Sequence, residues 1–186
     1  MSLSKKSESP LKGREANHAR PHLYVLLMRQ DDPRKCTSAK LVRFRLAGPL
    51  YRLRQIPRSA LVLDPMAESV LLPSDRTLAQ RSGVVAVDCS WERVQEVFSV
   101  KLPGRGRRLP KLLAGNPVNY GAAHKLSSIE ALAAALFIMG FRERAKQLLS
   151  LFKWGEGFLA LNSEPLEAYS KVSGPEDLFR AEADFF

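Results

Sequence analysis

The stretch Val84-Val85-Ala86-Val87-Asp88-Cys89-Ser90-Trp91 decides the fold of this chain. Its first four residues are apolar and mostly β-branched, which predicts a short strand buried on both faces, as in a parallel sheet. Ligands of parallel sheets bind beyond the carboxyl ends of the strands, and Asp88 follows this strand directly. The stretch therefore predicts a buried strand and, next to it, one wall of a binding site.

Strands and helices alternate around this segment in the first half of the chain. Apolar runs predict strands at His22–Met28, Ala60–Leu63 and Ser69–Leu72. A Pro-, Gly- and Arg-rich connection precedes the second of them. Helices are predicted at Ser38–Phe44 with Thr37 as cap, at Asp75–Arg81 between Ser74 and Gly83, and from the cap Ser90 to Val97. This alternation favours a largely parallel sheet.

The second half is predicted to be nearly all helical, because strand patterns fade beyond Lys101. Ser127-x-x-Glu130 is a capping box that opens an Ala-rich helix to Met139, ended by Gly140. Further helices are predicted at Phe141–Phe152, Phe158–Leu161, Leu166–Ser170 and Glu176–Ala181. We therefore expect a flexible basic tail (1–20), an α/β N-terminal domain (21–100) and a mainly helical C-terminal domain (101–186). The two domains are expected to share the ligand-binding cleft.

Composition narrows the class of protein. The chain has 186 residues, 45% of them hydrophobic, which is enough for a real core. No apolar run approaches ~18 residues, so a membrane span is not expected. The first twenty residues are polar and basic, unlike a secretory signal. Cys36 and Cys89 suit a reducing cytosol better than a disulfide framework, and we expect a cytoplasmic protein.

Positive charge is concentrated in two stretches. The net charge is +10, and neither Arg34–Arg58 nor Lys101–Lys111 contains an acidic residue. Such segregation is typical of a basic face for a polyanion, above all nucleic acid, although a solvated surface has the same composition. The segment Lys101–Arg108 lacks the Gly-Lys-Ser/Thr of a phosphate-binding loop, and we predict a flexible basic loop on RNA phosphates.

Helix starts and one stiff loop offer backbone groups to a ligand. Asn116-Pro117-Val118-Asn119-Tyr120-Gly121 combines residues that fix turn geometry with a glycine that allows close approach. The helix start at Ser127-Ser128 presents unpaired N–H groups that suit a carboxylate, and Thr37 offers the same chemistry. Each helix start can also be a cap and nothing more.

The side chains after Val87 have functional and structural readings. Asp88 can accept a proton or a hydrogen bond from a ligand, or it can cap a helix or form a local ion pair. Cys89 is more plausibly structural than nucleophilic, because no base lies near it in sequence. Trp91 can be core or pocket wall, and Trp154 is expected to pack between helices. No Cys/His spacing matches a zinc site, so no metal is expected.

Several long motifs, in the right order, closely resemble the small-subunit ribosomal RNA aminocarboxypropyltransferases. They are Asp32-Pro33-Arg34-Lys35-Cys36-Thr37, Asp88-Cys89-Ser90-Trp91, Leu109-Pro110 before Leu112-Leu113-Ala114-Gly115-Asn116-Pro117-Val118-Asn119-Tyr120-Gly121, and Phe152-Lys153-Trp154-Gly155-Glu156-Gly157-Phe158 through Leu161-Asn162. The resemblance covers about His22 to Ser170. It is to the compact, archaeal-type form of the family, without a long acidic extension.

The resemblance implies both a fold and an activity. The fold is α/β with a deep trefoil knot, similar to SPOUT methyltransferases, plus a helical C-terminal half. The donor is S-adenosylmethionine, and its 3-amino-3-carboxypropyl group goes to ring nitrogen 3 of a pseudouridine, typically N1-methylated, in small-subunit rRNA. Methylthioadenosine leaves. The partner is the small subunit or its precursor, and the protein is expected to be a monomer that needs no metal.

The resemblance also assigns roles to single residues. Thr37 and Ser128 match positions that hold the donor carboxylate, and Trp91 matches the residue that packs on the donor methyl group. Adenine and ribose contacts match Leu63, Val87, Leu109 and His124. Asp88 matches the candidate catalytic base or electrostatic group. The residues that we expect to contact the RNA backbone are Arg34, Lys35, Lys40, Arg43, Arg105, Arg107, Arg108 and Lys111.

Two other functions fit the same residues. A SPOUT-type RNA methyltransferase would use the same donor but transfer its methyl group. A ribosome assembly protein that binds RNA without catalysis would need only the basic face. Binding of S-adenosylmethionine separates the enzymes from the assembly protein.

Overall fold

A five-stranded parallel sheet organises the chain. The computed structural model describes residues 20–28 and 37–186. Within them the strands are β1 (Leu23–Leu27), β2 (Gly48–Leu50), β3 (Leu61–Leu63), β4 (Val84–Asp88) and β5 (Arg105–Arg107). They pair in the order β2-β1-β4-β3-β5, and every pair is parallel. The prediction of a largely parallel sheet is confirmed.

The predicted buried strand lies at the centre of the sheet. β4 pairs with β1 from Leu23↔Val84 to Leu27↔Asp88 and with β3 at Leu61↔Val84. Val84 and Val85 are fully buried. Apolar side chains on both faces of β4 allow helices and loops to cover the sheet on both sides, as a parallel sheet requires.

Eight α-helices are formed by the described residues. Their bounds are α1 (Thr37–Arg43), α2 (Arg76–Ser82), α3 (Val94–Phe98), α4 (Ser128–Ile138), α5 (Arg142–Leu149), α6 (Gly155–Leu161), α7 (Ser163–Tyr169) and α8 (Pro175–Ala183). Short 3₁₀ turns cover Leu53–Gln55, Pro73–Asp75 and Trp91–Arg93.

The helix α4 is the centre of the larger hydrophobic core. Nearly all of its residues are buried, and the same apolar cluster runs from Leu23 in β1 to Leu178 in α8. A smaller cluster covers the other face of the sheet around Leu26, Ile56 and Val85. One core therefore joins the sheet to the C-terminal helices, and the boundary at residue 100 stays a prediction.

The capping box predicted before α4 is confirmed. The Ser127 side chain accepts from the Glu130 N–H, and the Glu130 carboxylate accepts from the Ser127 N–H. Gly140 follows the helix with φ of +80°, a left-handed conformation that glycine adopts without strain. The predicted helices around α5, α6, α7 and α8 are also present, with ends shifted by a few residues.

Two strands, β2 and β5, were not predicted from the sequence, because their residues are not typical of strands. β2 contains Gly48 and Pro49 and lies at one edge of the sheet, where a proline is tolerated. β5, Arg105-Gly106-Arg107, lies at the opposite edge, so the prediction of a flexible loop there is wrong for these residues. Neither edge strand carries the apolar pattern that identifies a buried strand.

Other predicted elements were wrong in detail. Ser69–Leu72 is not a strand, because only Val70 forms a bridge, with Arg108. The described part of α1 begins at Thr37, and the role of Thr37 as a cap stays a prediction, because residue 36 lies outside the described part of the chain. Ser74 lies inside a 3₁₀ turn before α2, and a 3₁₀ turn separates Ser90 from α3.

Some expectations concern residues outside the described part of the chain. They are the flexible tail, of which Arg20 alone is described, and the segment from Asp32 to Cys36 with its RNA candidates Arg34 and Lys35. Among residues 20–28 and 37–186, no helix is long and apolar enough to cross a membrane.

Candidate active site

A large cleft opens at the carboxyl ends of β3 and β4. Its volume is about 1020 Å³, and its walls come from both halves of the chain. The residues after β3 and β4, the loop at Asn116–Asn119 and the starts of α1 and α4 all line it. All eight donor-site and catalytic candidates lie in its wall: Thr37, Leu63, Val87, Asp88, Trp91, Leu109, His124 and Ser128.

Asp88 links the starts of two helices across the floor of this cleft. The Ser38 hydroxyl donates to Asp88 Oδ1 at 2.8 Å, and the Ser128 hydroxyl donates to the same oxygen at 3.2 Å. Ser38 is fully buried in α1, and Ser128 is the first residue of α4. The carboxylate therefore fixes the spacing of the two helix starts that face the cleft.

Glu130 fixes the polar loop of the opposite wall. Its side chain is fully buried, and Oε1 accepts from the N–H groups of Gly115 (2.7 Å) and Asn116 (2.9 Å). Oε2 accepts from Asn116 Nδ2, from the Ser127 N–H and from the Ser127 hydroxyl, each at 2.7 Å. A capping residue thus also ties the Asn116 loop to the start of α4.

Glycine is needed where this loop meets α6. A Cβ atom on Gly115 would lie 2.8 Å from the Phe158 Cα and 2.9 Å from its Cβ, closer than real contacts. The loop therefore rests directly on α6, and its position is set from two sides, by Glu130 and by Phe158.

Tryptophan side chains form part of the apolar wall. Trp91 donates its indole N–H to the Leu126 carbonyl at 3.0 Å, which orients the ring beside the start of α4. Trp154 packs on Phe152 with ring centroids 5.0 Å apart, and both line the cleft. Trp154 therefore contributes to the cleft wall as well as to packing.

Sequence reasoning missed Ser38, Asp64 and Glu130 as parts of the site. Ser38 and Glu130 stand inside predicted helices, where a polar residue is usually solvated, and only the tertiary fold makes them partners of the cleft. Asp64 was visible, because it follows the apolar strand Leu61–Leu63 as Asp88 follows Val87. Ligands bind beyond the carboxyl ends of parallel strands, and this rule would have identified Asp64 as a site candidate.

Asp64 differs from Asp88 in its surroundings. Burial raises the pKa of the Asp64 carboxyl above its usual value, and a hydrogen bond from the Met66 N–H to Oδ1 (2.8 Å) opposes this shift. Asp64 lies in the cleft wall at the end of β3. Its side chain therefore brings a poorly solvated carboxylate into the site.

The described RNA candidates lie in two kinds of environment. Arg43 and Arg105 are exposed. The others have contacts within the protein: Lys40 donates to the Leu151 carbonyl, Arg107 pairs with Asp75 (3.1 Å), the Arg108 guanidinium lies 5.5 Å from the Phe179 ring, and Lys111 lies 3.6 Å from Glu182. Arg107 and Arg108 also line the cleft.

Cys89 and the histidine candidate share the cleft but form no evident metal site. Cys89 is half-buried, and it lines the cleft together with His124. His124 has φ of +65°, in the left-handed region. Among the residues that the structure describes, no group of three or more His, Cys, Asp or Glu side chains could hold a metal ion.

Comparison with known proteins identifies the family. Residues 61–186 match the family model described as "Ribosome biogenesis protein, C-terminal". A 16S rRNA aminocarboxypropyltransferase from Methanosarcina mazei is 46% identical over 165 residues, which cover 88% of this chain and 94% of that protein. The protein of the same name from Thermoplasma acidophilum is 45% identical and is covered to 99%.

A solved structure agrees with these relatives. The SAM-dependent rRNA acp-transferase Tsr3 from Vulcanisaeta distributa superposes with a TM-score of 0.78 at 38% sequence identity. The match covers 88% of this chain and 95% of that one. The resemblance inferred from the motifs is confirmed, and the chain belongs to the 16S rRNA aminocarboxypropyltransferase family.

Proposed function

We propose that this chain transfers the 3-amino-3-carboxypropyl group of S-adenosylmethionine to small-subunit rRNA. The observation that carries the proposal is the cleft at the carboxyl ends of β3 and β4, in whose wall all eight candidate residues lie. The candidates come from distant segments of the sequence. A shared cleft is what a single ligand site requires of them.

The cleft fits a donor of this kind in size and chemistry. Its volume of about 1020 Å³ leaves room for a nucleoside and for an acceptor base. Leu63, Val87 and Leu109 offer an apolar surface to adenine, with His124 beside the ribose. Thr37 and Ser128, each at a helix start, hold the donor carboxylate with backbone N–H groups and, at Thr37, with the hydroxyl, since the Ser128 hydroxyl donates to Asp88.

When bound, the donor supplies an electrophilic carbon. A bond forms between this carbon and ring nitrogen 3 of the acceptor, the carbon–sulfur bond breaks, the proton of ring nitrogen 3 is lost to water, and methylthioadenosine leaves. Trp91 packs on the donor methyl group and turns it away from the acceptor. Asp88 holds the starts of α1 and α4 together through Ser38 and Ser128. It acts as an orienting and electrostatic group more than as a base, since position alone contributes strongly to such a transfer.

The acceptor is a pseudouridine, typically N1-methylated, in small-subunit rRNA. The basic residues named above neutralise its backbone phosphates: Arg34, Lys35, Lys40, Arg43, Arg105, Arg107, Arg108 and Lys111. Since ribosomal subunits are the substrate, the protein acts in the cytoplasm, and it acts as a monomer. We also infer the SPOUT-like trefoil knot of the family, which the parallel sheet and family membership support.

The proposal is tested with two labelled donors. Small subunits that lack the modification are incubated with the protein and with S-adenosylmethionine labelled in the carboxyl carbon or in the methyl group. We expect only the carboxyl label in the rRNA. Methyl label alone would identify a methyltransferase and contradict the role of Trp91. Neither label, with RNA binding intact and the N1-methylated acceptor supplied, would favour an assembly protein.

A further inference from the structure

A second cavity, of about 460 Å³, lies at the amino ends of β1 and β2. The donor cleft lies at the opposite, carboxyl ends of the parallel strands. Its wall combines the starts of these strands with the C-terminal end of α1 and with Arg144 of α5. The basic lining residues are Arg20, His22, Arg45 and Arg144, and none of the described residues that line the cavity is acidic. The described lining therefore presents positive charge and no negative charge to the cavity.

The guanidinium of Arg144 is incompletely satisfied within the protein. Nη1 donates to Gln147 Oε1 (2.6 Å) and Nη2 to the Leu46 carbonyl (3.2 Å). Among the described residues, its Nε is the one buried side-chain nitrogen or oxygen without a hydrogen-bond partner. Burial and, after it, the charge of Arg20 lower the pKa of Arg144. A buried donor beside a second positive charge is costly unless an anion binds there.

Arg45 occupies a position at which folding favours glycine. It follows α1 with φ of +56°, and the Leu46 N–H donates to the Leu41 carbonyl in the usual helix-ending pattern. A left-handed conformation is less favourable for arginine than for glycine. Its side chain is nevertheless exposed and lines the cavity. The strain is consistent with a function for the guanidinium, because folding alone is better served by glycine.

The helix α1 connects this cavity to the donor cleft. Thr37 at its start lines the cleft, and Val42 near its end lines the cavity. Seven residues at 1.5 Å each span about 10 Å. Arg43 and Phe44 are exposed along the same helix end, with the guanidinium 5.1 Å from the ring. Exposed aromatic and basic side chains together are typical of surfaces that bind single-stranded RNA.

We propose that Arg20, Arg45 and Arg144 bind a backbone phosphate of the rRNA. The site lies at the amino ends of β1 and β2, next to the end of α1 that is farther from the donor cleft. Guanidinium groups match phosphate geometry and stay charged when partly buried. The inference rests on the proposed function, because it takes rRNA as the ligand. RNA is favoured over free phosphate, since the exposed Arg43 and Phe44 lie beside the cavity at the same end of α1.

The test compares Arg45→Gly with the wild-type protein on transcribed small-subunit rRNA. Glycine removes the guanidinium and relieves the left-handed strain, so the variant is expected to be at least as stable. We expect the slope of log Kd against log salt to decrease by about 0.7–0.9, the value for one lost phosphate contact. Arg45→Gly combined with Arg144→Gln is expected to weaken RNA binding further, with no decrease of the slope beyond that of one phosphate, while affinity for S-adenosylmethionine stays unchanged.

Arg180→Gln is the matched control, because it removes one exposed arginine from the acidic helix α8. An Arg45→Gly variant with wild-type slope and affinity would overturn the inference, as would a loss equal to that of the control. Binding of inorganic phosphate that depends on Arg45, with an unchanged RNA slope, would identify a free-anion site instead and also overturn it. Failure of label transfer by the wild type would reject the proposed function alone, because the RNA slope is measured without donor.

Discussion

Charged side chains are paired differently at the two ends of the parallel strands, which are called here the carboxyl edge and the amino edge of the sheet. At the carboxyl edge, Asp88 and Glu130 receive hydrogen bonds from hydroxyl and N–H groups that the fold brings to them. At the amino edge, Arg45 and Arg144 line a cavity together, and Arg144 keeps a buried N–H without a partner. The hydrogen bonds of Asp88 and Glu130 are made within the protein, whereas the proposed phosphate would provide a partner for Arg144.

In the proposed reaction the donor and the acceptor base share the cleft at the carboxyl edge, and the rRNA backbone also reaches the amino edge. A preorganised cleft suits a small donor, because few groups need to reorder when it binds. Open positive charges suit a long polyanion, whose binding is driven by counterion release. Donor binding is therefore expected to depend on packing and hydrogen bonds, and RNA binding on ionic strength.

The largest expected effect concerns Glu130, the best-paired group of the carboxyl edge. Glu130→Ala leaves buried N–H donors of Gly115, Asn116 and Ser127 without their acceptor. We expect the free energy of unfolding to fall by about 3–5 kcal/mol, measured by urea denaturation. The exposed Glu156→Ala is the control, with a change within about 0.5 kcal/mol. Equal losses in the two variants would show that this edge is not preorganised by Glu130.

Salt provides the sharpest contrast between the edges. If four phosphates are bound, raising salt from 50 to 200 mM is expected to weaken RNA binding by about 50- to 150-fold. Affinity for S-adenosylmethionine, measured by calorimetry in the same buffers, is expected to change less than about twofold, since buried groups are screened little. A parallel fall of both affinities would remove the distinction.

Trp91 tests whether packing governs the donor side. Trp91→Ala removes an aromatic wall of the cleft and the hydrogen bond to the Leu126 carbonyl. We expect at least about tenfold weaker donor binding by calorimetry, with RNA affinity unchanged. Trp91→Phe keeps most of the apolar contact, and its donor affinity is expected to lie between those of the wild type and Trp91→Ala. Unchanged donor affinity in Trp91→Ala would contradict the assignment.

The smallest expected effect concerns Asp64, a carboxylate of the carboxyl edge that burial makes costly to ionise. Because its pKa is raised in the folded state, its favourable contribution is full below the unfolded pKa and is lost as the pH rises through the folded value. Asp64→Asn is therefore expected to gain stability relative to wild type between pH 4 and pH 7, by less than about 1 kcal/mol. Denaturation across this range measures the difference, with Asp184→Asn as control. A difference independent of pH would contradict the burial argument.

The sequence predicted the centre of the fold better than its edges. Val84–Val87 is buried on both faces, so its apolar run carries the signal of a central strand. Gly48-Pro49-Leu50 and Arg105-Gly106-Arg107 pair with the sheet through their backbones, and Leu50 is the one side chain among them in a hydrophobic core. One apolar residue is too weak a signal to predict a strand. Their strand character depends on neighbours that are distant in sequence.

The same limit applies to the site. The motifs around Asp88, Trp91 and Ser128 predicted positions that now lie in one cleft, although their roles stay predictions. Ser38 and Glu130 were missed as site residues, since their partners are 50 and 14 residues away in sequence. The cavity at Arg45 and Arg144 was missed as well, because Arg45 follows α1 and Arg144 lies in α5, and only folding brings these segments together.

The contacts of Asp88 join segments of the chain that are synthesised at different times. Ser38 precedes Asp88 by 50 residues, and Ser128 follows it by 40. At about 5–20 residues per second, several seconds of translation separate α1 from α4. The donor cleft lacks the wall at Ser127 and Ser128 until α4 has been synthesised, so a nascent chain that ends before α4 is expected not to bind S-adenosylmethionine.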